Sequence, residues 1–207
     1  MGFTARILHR VRAFAYAAKG DETMTLYIDA CLRPESRTRR LAEVVLAHIQ
    51  DDIERVVLSD EMIPYLTEEG LSHRFSADLD SPCYDIARQF AAADTLIIAA
   101  PYYDLSFPAI LRAYIEQIQV GGISFVYGED DLPHSLAKVK RLIYVSTAGG
   151  HVIGEHLGYR YLCEVMRYFY GVTDSTLFCA EGLDLKGADA EKILLNTETL
   201  IHRTMGT

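Results

Sequence analysis

The sequence predicts a doubly wound α/β fold, a three-layer sandwich around a five-stranded parallel sheet in the order 2-1-3-4-5. Residues 96–100 (Leu-Ile-Ile-Ala-Ala) form a continuous apolar run that ends in a polar, aromatic turn at 101–104 (Pro-Tyr-Tyr-Asp). Such runs are typical of strands covered on both faces, as in parallel sheets flanked by helices. Similar runs alternate regularly with helical patterns, which predicts helices on both faces of one sheet.

Five short apolar segments predict the strands of this sheet. Each is bounded by polar or glycine-containing segments that indicate turns. The predicted strands lie at residues 25–30, 54–58, 95–100, 141–146 and 175–179.

Segments with helical periodicity predict five helices, at residues 37–50, 82–93, 108–120, 158–169 and 188–203. Pro82 and Pro108 stand at helix starts, where proline is tolerated. Gly121 follows the third helix, as glycine commonly does at a helix C-terminus. The polar segment 59–81 predicts a long surface loop, and the charged segment 128–135 predicts another.

Residues 1–23 differ from the domain predicted for residues 24–207. The first 20 residues include four basic side chains and no acidic one, and their apolar side chains fall on one helical face. This pattern is typical of a targeting segment, and it also suits a docking helix or a packing arm. Alternatively, synthesis begins at Met24, immediately before the first strand.

The composition excludes several classes of function. A net charge of −9 argues against a nucleic-acid-binding protein, which needs a concentrated basic surface. No apolar run reaches the roughly 20 residues that cross a membrane. The four cysteines form no Cys-x-x-Cys pair, which predicts free thiols in the reducing cytoplasm. No metal site is expected, because His134, His151 and His156 lack the spacing of paired ligands.

The first polar loop follows the first predicted strand and opens a helix. Ser36, Arg37 and Thr38 stand at the helix start. Unpaired amides, the positive end of the helix dipole and two hydroxyls suit a phosphate group there. The same hydroxyls also suit ordinary helix capping, so the loop alone leaves both interpretations open.

Two further loops follow the third and fourth strands. Tyr102, Tyr103 and Asp104 offer aromatic surface and hydrogen bonds to a planar ring, or form a solvated turn. Residues 146–151 (Ser-Thr-Ala-Gly-Gly-His) include glycines that permit close approach of a ligand, or make an ordinary turn. In the predicted strand order, all three loops meet at the edge where a flavodoxin-like fold holds FMN.

Other nucleotide and hydrolase sites lack their motifs. The sequence has neither a Walker lysine motif nor Gly-x-Gly-x-x-Gly, which argues against nucleoside triphosphate and Rossmann dinucleotide sites. It also lacks the Gly-x-Ser-x-Gly elbow of serine hydrolases.

Spaced motifs along residues 24–207 carry a family resemblance. Residues 99–104 (Ala-Ala-Pro-Tyr-Tyr-Asp) are followed by Gly-Ile-Ser-Phe-Val-Tyr at 122–127 and Ala-Glu-Gly at 180–182. These are similar to the Ala-Pro-Met-Tyr-Asn, Gly-x-Thr-Phe-x-Tyr and C-terminal motifs of one family. The chain thus resembles the FMN-dependent NADH azoreductases within the NAD(P)H quinone reductase family.

The resemblance implies a flavodoxin-like, FMN-binding domain and a set of cofactor-binding positions. It places the phosphate at Ser36, Arg37 and Thr38. It places the flavin ring at Tyr102, Tyr103, Asp104 and Leu105. The other polar edge of the ring is expected at Thr147, Ala148, Gly149 and Gly150. Three positions depart from the family pattern, where serine, asparagine and arginine are replaced by Ala30, Asp104 and Ala148.

The resemblance also implies a function. It predicts a cytoplasmic homodimer in which bound FMN passes a hydride from NADH or NADPH to a quinone or azo compound by a ping-pong mechanism. No catalytic acid or base is assigned, because the cofactor carries the chemistry. Two alternatives remain open: a flavodoxin-type electron carrier, and a flavin-free binding or regulatory module on the same fold.

Overall fold

The computed structural model describes residues 23–73 and 79–206 of the chain. The strands in the described residues are β1 (Met24–Asp29), β2 (Asp52–Val57), β3 (Thr95–Ala99), β4 (Phe125–Tyr127), β5 (Pro133–Ser135), β6 (Arg141–Thr147) and β7 (Asp174–Ala180). Five of them form one parallel sheet in the order β2-β1-β3-β6-β7, and β4 and β5 pair as a separate antiparallel hairpin. Without the hairpin strands, this is the predicted order 2-1-3-4-5.

Six α-helices lie in the described residues: α1 (Arg37–Leu46), α2 (Glu68–His73), α3 (Asp85–Ala92), α4 (Ala109–Ile118), α5 (Leu157–Tyr170) and α6 (Ala190–Met205). The strands alternate their side chains between two apolar layers. Leu26 and Ile28 belong to a core cluster with residues of α3, α4 and α5. Tyr27 belongs to a second cluster on the opposite face, with residues of α1 and α6. Both faces of the sheet are therefore covered, which explains the continuous apolar runs.

The prediction of a loop over residues 128–135 is wrong for its last three residues. These residues form β5, and the hairpin is closed by a hydrogen bond from Gly128 N to Leu132 O (2.9 Å). Asp131 adopts a left-handed conformation (φ 59°) in the turn. Phe125 anchors β4 because its ring packs against that of Phe169, with the two ring centroids 5.1 Å apart. The turn acids obscured these short strands in the sequence.

The prediction of one long loop over residues 59–81 is wrong for residues 68–73, which form α2. A hydrogen bond from Gly70 N to the Thr67 hydroxyl (3.1 Å) supports its first turn. Glu68 and Glu69 also favour a helix start, because acidic side chains stabilise the positive end of the helix dipole.

The predicted N-terminal extension lies outside the described residues except for Thr23. The Thr23 hydroxyl donates to Asp51 (2.6 Å) just before β1. Within residues 23–73 and 79–206, no helix has the length and apolarity needed to cross a membrane.

Candidate functional site

The carboxyl ends of β1, β3 and β6 lie side by side at one edge of the sheet. Three loops begin there: the first loop (residues 30–36), the second loop (residues 100–107) and the third loop (residues 148–155). Ala30 N donates to Ala99 O (2.8 Å), and Tyr102 N donates to Thr147 O (2.9 Å). These bonds continue the sheet into the loops, so the expected convergence of the three loops is observed.

The first loop leads into α1, and Ser36 is the N-cap of that helix. Its hydroxyl accepts a hydrogen bond from Arg39 N (3.3 Å). Thr38 is fully buried, and its hydroxyl shares a hydrogen bond with that of Thr147 (2.6 Å). Arg37 forms an exposed ion pair with Asp184 (2.7 Å). The Ser36 hydroxyl also lies within hydrogen-bond reach of the Cys31 thiol. The first amides of α1 and the Arg37 guanidinium suit an anion.

A buried ion pair fixes the path of the first loop. Asp29 accepts from Cys31 N (2.8 Å) through one oxygen and from Arg39 Nε (2.5 Å) through the other. The rest of the Arg39 guanidinium donates to the carbonyls of Cys31, Arg33 and Pro34. One arginine therefore determines the shape of the loop that leads to Ser36. Burial raises the pKa of the Cys31 thiol to about 12, so at neutral pH this thiol is not a nucleophile.

The second loop contains a tight turn in an unusual backbone conformation. Tyr103 N donates to Ser106 O (3.0 Å), and Ser106 N donates to Tyr103 O (2.8 Å). The two central residues, Asp104 (φ 48°) and Leu105 (φ 69°), are both left-handed. Aspartate tolerates this conformation, whereas leucine adopts it at a cost of about 1–2 kcal/mol. Such strain is typical of functional sites.

Tyr102 and His156 connect the second loop to the start of α5. Their rings meet edge to face, with centroids 4.9 Å apart. The Tyr102 hydroxyl is buried and has no hydrogen-bond partner among the described residues. A buried hydroxyl of this kind is available to bond a ligand or a water molecule.

The third loop is held by backbone bonds to the segment after β7. The carbonyls of Ala148, Gly149 and Gly150 accept hydrogen bonds from the amides at 182–184. A Cβ at Gly149 would lie 2.5 Å from the Asp184 carboxylate, so a larger residue there would displace the Asp184 side chain. A Cβ at Gly150 would meet nothing within 4 Å, which leaves this backbone open to a ligand.

Two of the three family departures, Ala30 and Ala148, are buried. Each offers only backbone groups, and Ala148 N already donates to Ala180 O (2.8 Å). The third departure, Asp104, is exposed. On the outer rim, His151 Nδ1 lies 3.7 Å from a Glu181 carboxylate oxygen. The edge therefore combines a cationic helix start with a mostly acidic rim.

The residues present fit a flat, phosphorylated cofactor such as FMN. Each loop exposes one apolar side chain: Leu32 is 52%, Leu105 47% and Ile153 71% exposed. Apolar side chains suit a planar ring, and the start of α1 suits a phosphate. The Tyr102 hydroxyl and the Gly150 backbone add polar groups at the same edge.

Comparison with known proteins identifies the family of this chain. Residues 23–200 match the family model described as Flavodoxin-like fold. The FMN-dependent NADH:quinone oxidoreductase 2 of Clostridium acetobutylicum is 38% identical over 186 residues, which cover 83% of this chain and 92% of that protein. The chain belongs to this flavodoxin-like family.

Solved structures show the same flavodoxin-like fold. An azoreductase from Bacillus anthracis strain Sterne has a TM-score of 0.76 at 22% identity, over 88% of this chain and 98% of that one. An FMN-dependent NADH-azoreductase from Bacillus anthracis strain Ames Ancestor, in complex with FMN, has a TM-score of 0.74 at 19% identity, over 89% and 98% of the two chains.

The sequence does not identify Asp29 or Asp184 as parts of this site. It indicates Arg39 only as one of several positive charges near the first helix, and His156 only as a histidine without the spacing of a metal ligand. An acid at the end of a buried strand and an arginine ten residues later form a local signal for the Asp29–Arg39 pair. No short sequence pattern indicates the ion pair between Asp184 and Arg37, because the two residues are 147 positions apart.

Proposed function

We propose that this chain is an FMN-dependent NAD(P)H oxidoreductase that reduces quinones, azo compounds or both. The observation that carries the proposal is that Thr147, at the end of β6, contacts both the start of α1 and the second loop. The Thr147 hydroxyl bonds Thr38 (2.6 Å) and its carbonyl accepts from Tyr102 N (2.9 Å). The 38% identical relative is named as an FMN-dependent NADH:quinone oxidoreductase, which supports the same activity.

The cofactor-binding residues are those that surround this junction. The phosphate is held at Ser36, Arg37 and Thr38, chiefly by backbone amides, the Ser36 hydroxyl and the Arg37 guanidinium. The flavin ring is held by Tyr102, Tyr103, Asp104 and Leu105 on one side. Its other polar edge is held by Thr147, Ala148, Gly149 and Gly150.

When bound, FMN would supply the hydride-transfer chemistry. The protein residues bind and orient it: Arg39 fixes the first loop, and the left-handed turn presents Leu105 at the surface. NADH or NADPH and the acceptor are proposed to use the same exposed apolar edge in turn. This gives ping-pong kinetics, which parallel lines in double-reciprocal plots would support. No side chain is assigned as a catalytic acid or base.

We also propose a homodimer in the cytoplasm. Apolar side chains are exposed on the hairpin and on α5, and a patch of this kind is typical of an interface. They are Val126, Tyr127, Leu132, Leu136 and Tyr168. The location rests on the four free cysteines. Sedimentation equilibrium that gives a single-chain mass at micromolar concentration would refute the dimer.

The central test is flavin content and its response to NADH. Purified protein is expected to hold about one FMN per chain and to prefer FMN over FAD. Under anaerobic conditions, NADH is expected to bleach the flavin within seconds, and an added quinone is expected to restore its colour. Protein that stays colourless and gives no calorimetric signal with FMN refutes the proposal. Bound FMN that NADH does not reduce indicates an electron carrier.

The phosphate site is tested by Arg37→Gln. This change is expected to weaken FMN by about tenfold or more and to leave riboflavin unaffected, because a charge-assisted hydrogen bond contributes about 1.5–3 kcal/mol. Arg40→Gln is the matched control on the same helix, since Arg40 instead bonds Glu191 and Glu198 (both 2.7 Å). Equal losses of FMN and riboflavin in Arg37→Gln would contradict a phosphate contact.

A further inference from the structure

His156 is the N-cap of α5 and is almost fully buried. Its Nδ1 accepts a hydrogen bond from Tyr159 N (3.1 Å). Because Nδ1 is an acceptor, the neutral ring carries its hydrogen on Nε2. That nitrogen lies 3.1 Å from the hydroxyl of Ser146, which is also buried, and donates to it. Both ring nitrogens are therefore used by the neutral imidazole.

The imidazole also forms part of the support of the second loop. Its ring lies between those of Tyr102 (4.9 Å) and Tyr144 (5.4 Å), both edge to face. The backbone of α5 approaches the same loop at Gly158, where a Cβ would lie 2.8 Å from the Phe107 ring. The second loop thus rests on the first turn of α5, and His156 holds that turn.

We propose that His156 is a positioning residue: its neutral imidazole holds the second loop in place, and protonation of the imidazole releases the loop. The link to flavin binding rests on the proposed function, since the second loop is the proposed ring site. The link between His156 and the loop itself does not depend on any cofactor.

Protonation removes the helix cap for a direct chemical reason. A protonated Nδ1 has no lone pair and would face the Tyr159 N–H with a second donor. The new cation would also stand at the positive end of the α5 dipole. Burial lowers the pKa of His156 from its ordinary 6.5, which is consistent with an environment that favours the neutral ring.

The groups around His156 do not offset such a charge. The titratable side chains that contact the imidazole are the phenols of Tyr102 on the second loop and Tyr144 on β6. From α5 the contact is the backbone amide of Tyr159, whose phenol bonds Ser175 and Cys163. Burial raises the pKa of the Tyr144 phenol, so Tyr144 stays neutral in the acid range. Glu155 is the nearest acid in sequence, and it pairs with Arg160 at the surface.

The same titration contributes to the pH dependence of stability. The unfolded chain binds this proton more readily than the folded chain, because the pKa of His156 is lower in the folded state. The free energy of unfolding contributed by His156 is therefore present above pH 6.5 and declines as the pH falls below it.

The decisive experiment is amide hydrogen exchange of flavin-free protein at pH 7.5 and pH 5.5. The reporting amides are those of Tyr159, which donates to His156, and of Tyr103 and Ser106 in the turn. After correction for intrinsic exchange, the protection factors of all three amides in the wild type are expected to be about fivefold lower at pH 5.5 than at pH 7.5. A loss of this size is expected when a helix N-cap is removed. His156→Asn is expected to show no such loss, because asparagine accepts the same bond and does not titrate.

Two further variants complete the exchange experiment. His156→Ala is expected to show the low protection at both pH values, since it has no cap acceptor. His134→Asn replaces an exposed histidine in the hairpin and is expected to keep the wild-type pH dependence. Equal pH dependence of protection in wild type and His156→Asn would overturn the proposal, as would wild-type protection of the turn amides in His156→Ala.

FMN titrations of the same proteins test the consequence for the site. The phosphate of FMN also titrates near pH 6, so wild type and His156→Asn are compared at each pH. Wild type is expected to lose about fivefold more affinity than His156→Asn between pH 7.5 and 5.5. If no variant binds FMN, the proposed function is wrong, and the exchange data still decide the role of His156. If FMN binds and its affinity depends on pH to the same extent in wild type and His156→Asn, His156 does not position the ring site.

Discussion

Replacing Arg39 with methionine is expected to lower the free energy of unfolding by about 3 kcal/mol. Methionine keeps an apolar stem and removes the guanidinium. The Asp29 side chain is 2% exposed and would lose its ion-pair partner at 2.5 Å. Of the contacts described for its carboxylate, the amide of Cys31 at 2.8 Å would remain.

The magnitude follows from the burial of the two partners. Removing one partner of a buried ion pair costs about 3–5 kcal/mol, because the other charge is left uncompensated. The Arg39 side chain is 27% exposed, so water can partly replace it. The lower end of the range therefore applies. The first loop would also lose the three carbonyl contacts that define its path.

Arg37→Met is the matched control for this prediction. Its side chain and that of Asp184 are 44% and 63% exposed, and exposed ion pairs contribute about 0–1 kcal/mol. Urea unfolding of flavin-free protein at 25 °C and pH 7 measures both variants. Adding Asp29→Asn to Arg39→Met is expected to restore about half of the loss, because the neutral amide needs no counter-charge. A difference below about 1 kcal/mol between Arg39→Met and Arg37→Met would refute the buried-charge explanation.

Three further changes have defined outcomes. Deleting residues 1–22 is expected to leave FMN affinity unchanged and to shift Tm by less than about 2 °C; a larger fall in calorimetry would show that this segment packs on the domain. Asp104→Asn is expected to raise the two-electron potential of bound FMN, because it removes a negative charge near the proposed position of the ring. Asparagine also tolerates the left-handed backbone, so the fold is expected to be kept. An equal or lower potential in an anaerobic redox titration contradicts the placement of Asp104 near the ring. Leu105→Gly is expected to raise the free energy of unfolding of flavin-free protein by up to about 1 kcal/mol, because glycine relieves the left-handed strain. The same change is expected to lower the affinity for FMN, because it removes an apolar contact. Unchanged stability in urea would show that the turn is not strained.

The parallel sheet could be predicted from the sequence because its strands are covered on both faces. That cover produces uninterrupted apolar runs, such as residues 96–100, which are visible without any partner. The hairpin could not be predicted in the same way. Its strands have three residues each, and pairing of Phe125 with Ser135 depends on a turn formed by charged residues. Short strands stabilised by one aromatic contact leave little pattern in a sequence.

The site was partly predictable for a related reason. Loops that follow parallel strands must meet at one edge, so local sequence was enough to place Ser36, Tyr102 and Gly149 together. The bonds that join the loops are not local. The sequence indicates Thr38 as a polar residue at a helix start, and its buried bond to Thr147 depends on the packing of α1 against β6. The support that His156 provides to the second loop depends in the same way on the packing of α5.

The Thr38–Thr147 bond also has a consequence for when the proposed FMN site can form during synthesis. The two residues are 109 positions apart, so the ribosome makes most of the chain before both exist. β6 must then join β3 before the junction forms. Since we propose that FMN binds at this junction, we expect it to bind late in folding, after β6 has joined the sheet. A cell short of riboflavin is expected to accumulate folded, colourless protein that becomes active on later addition of FMN.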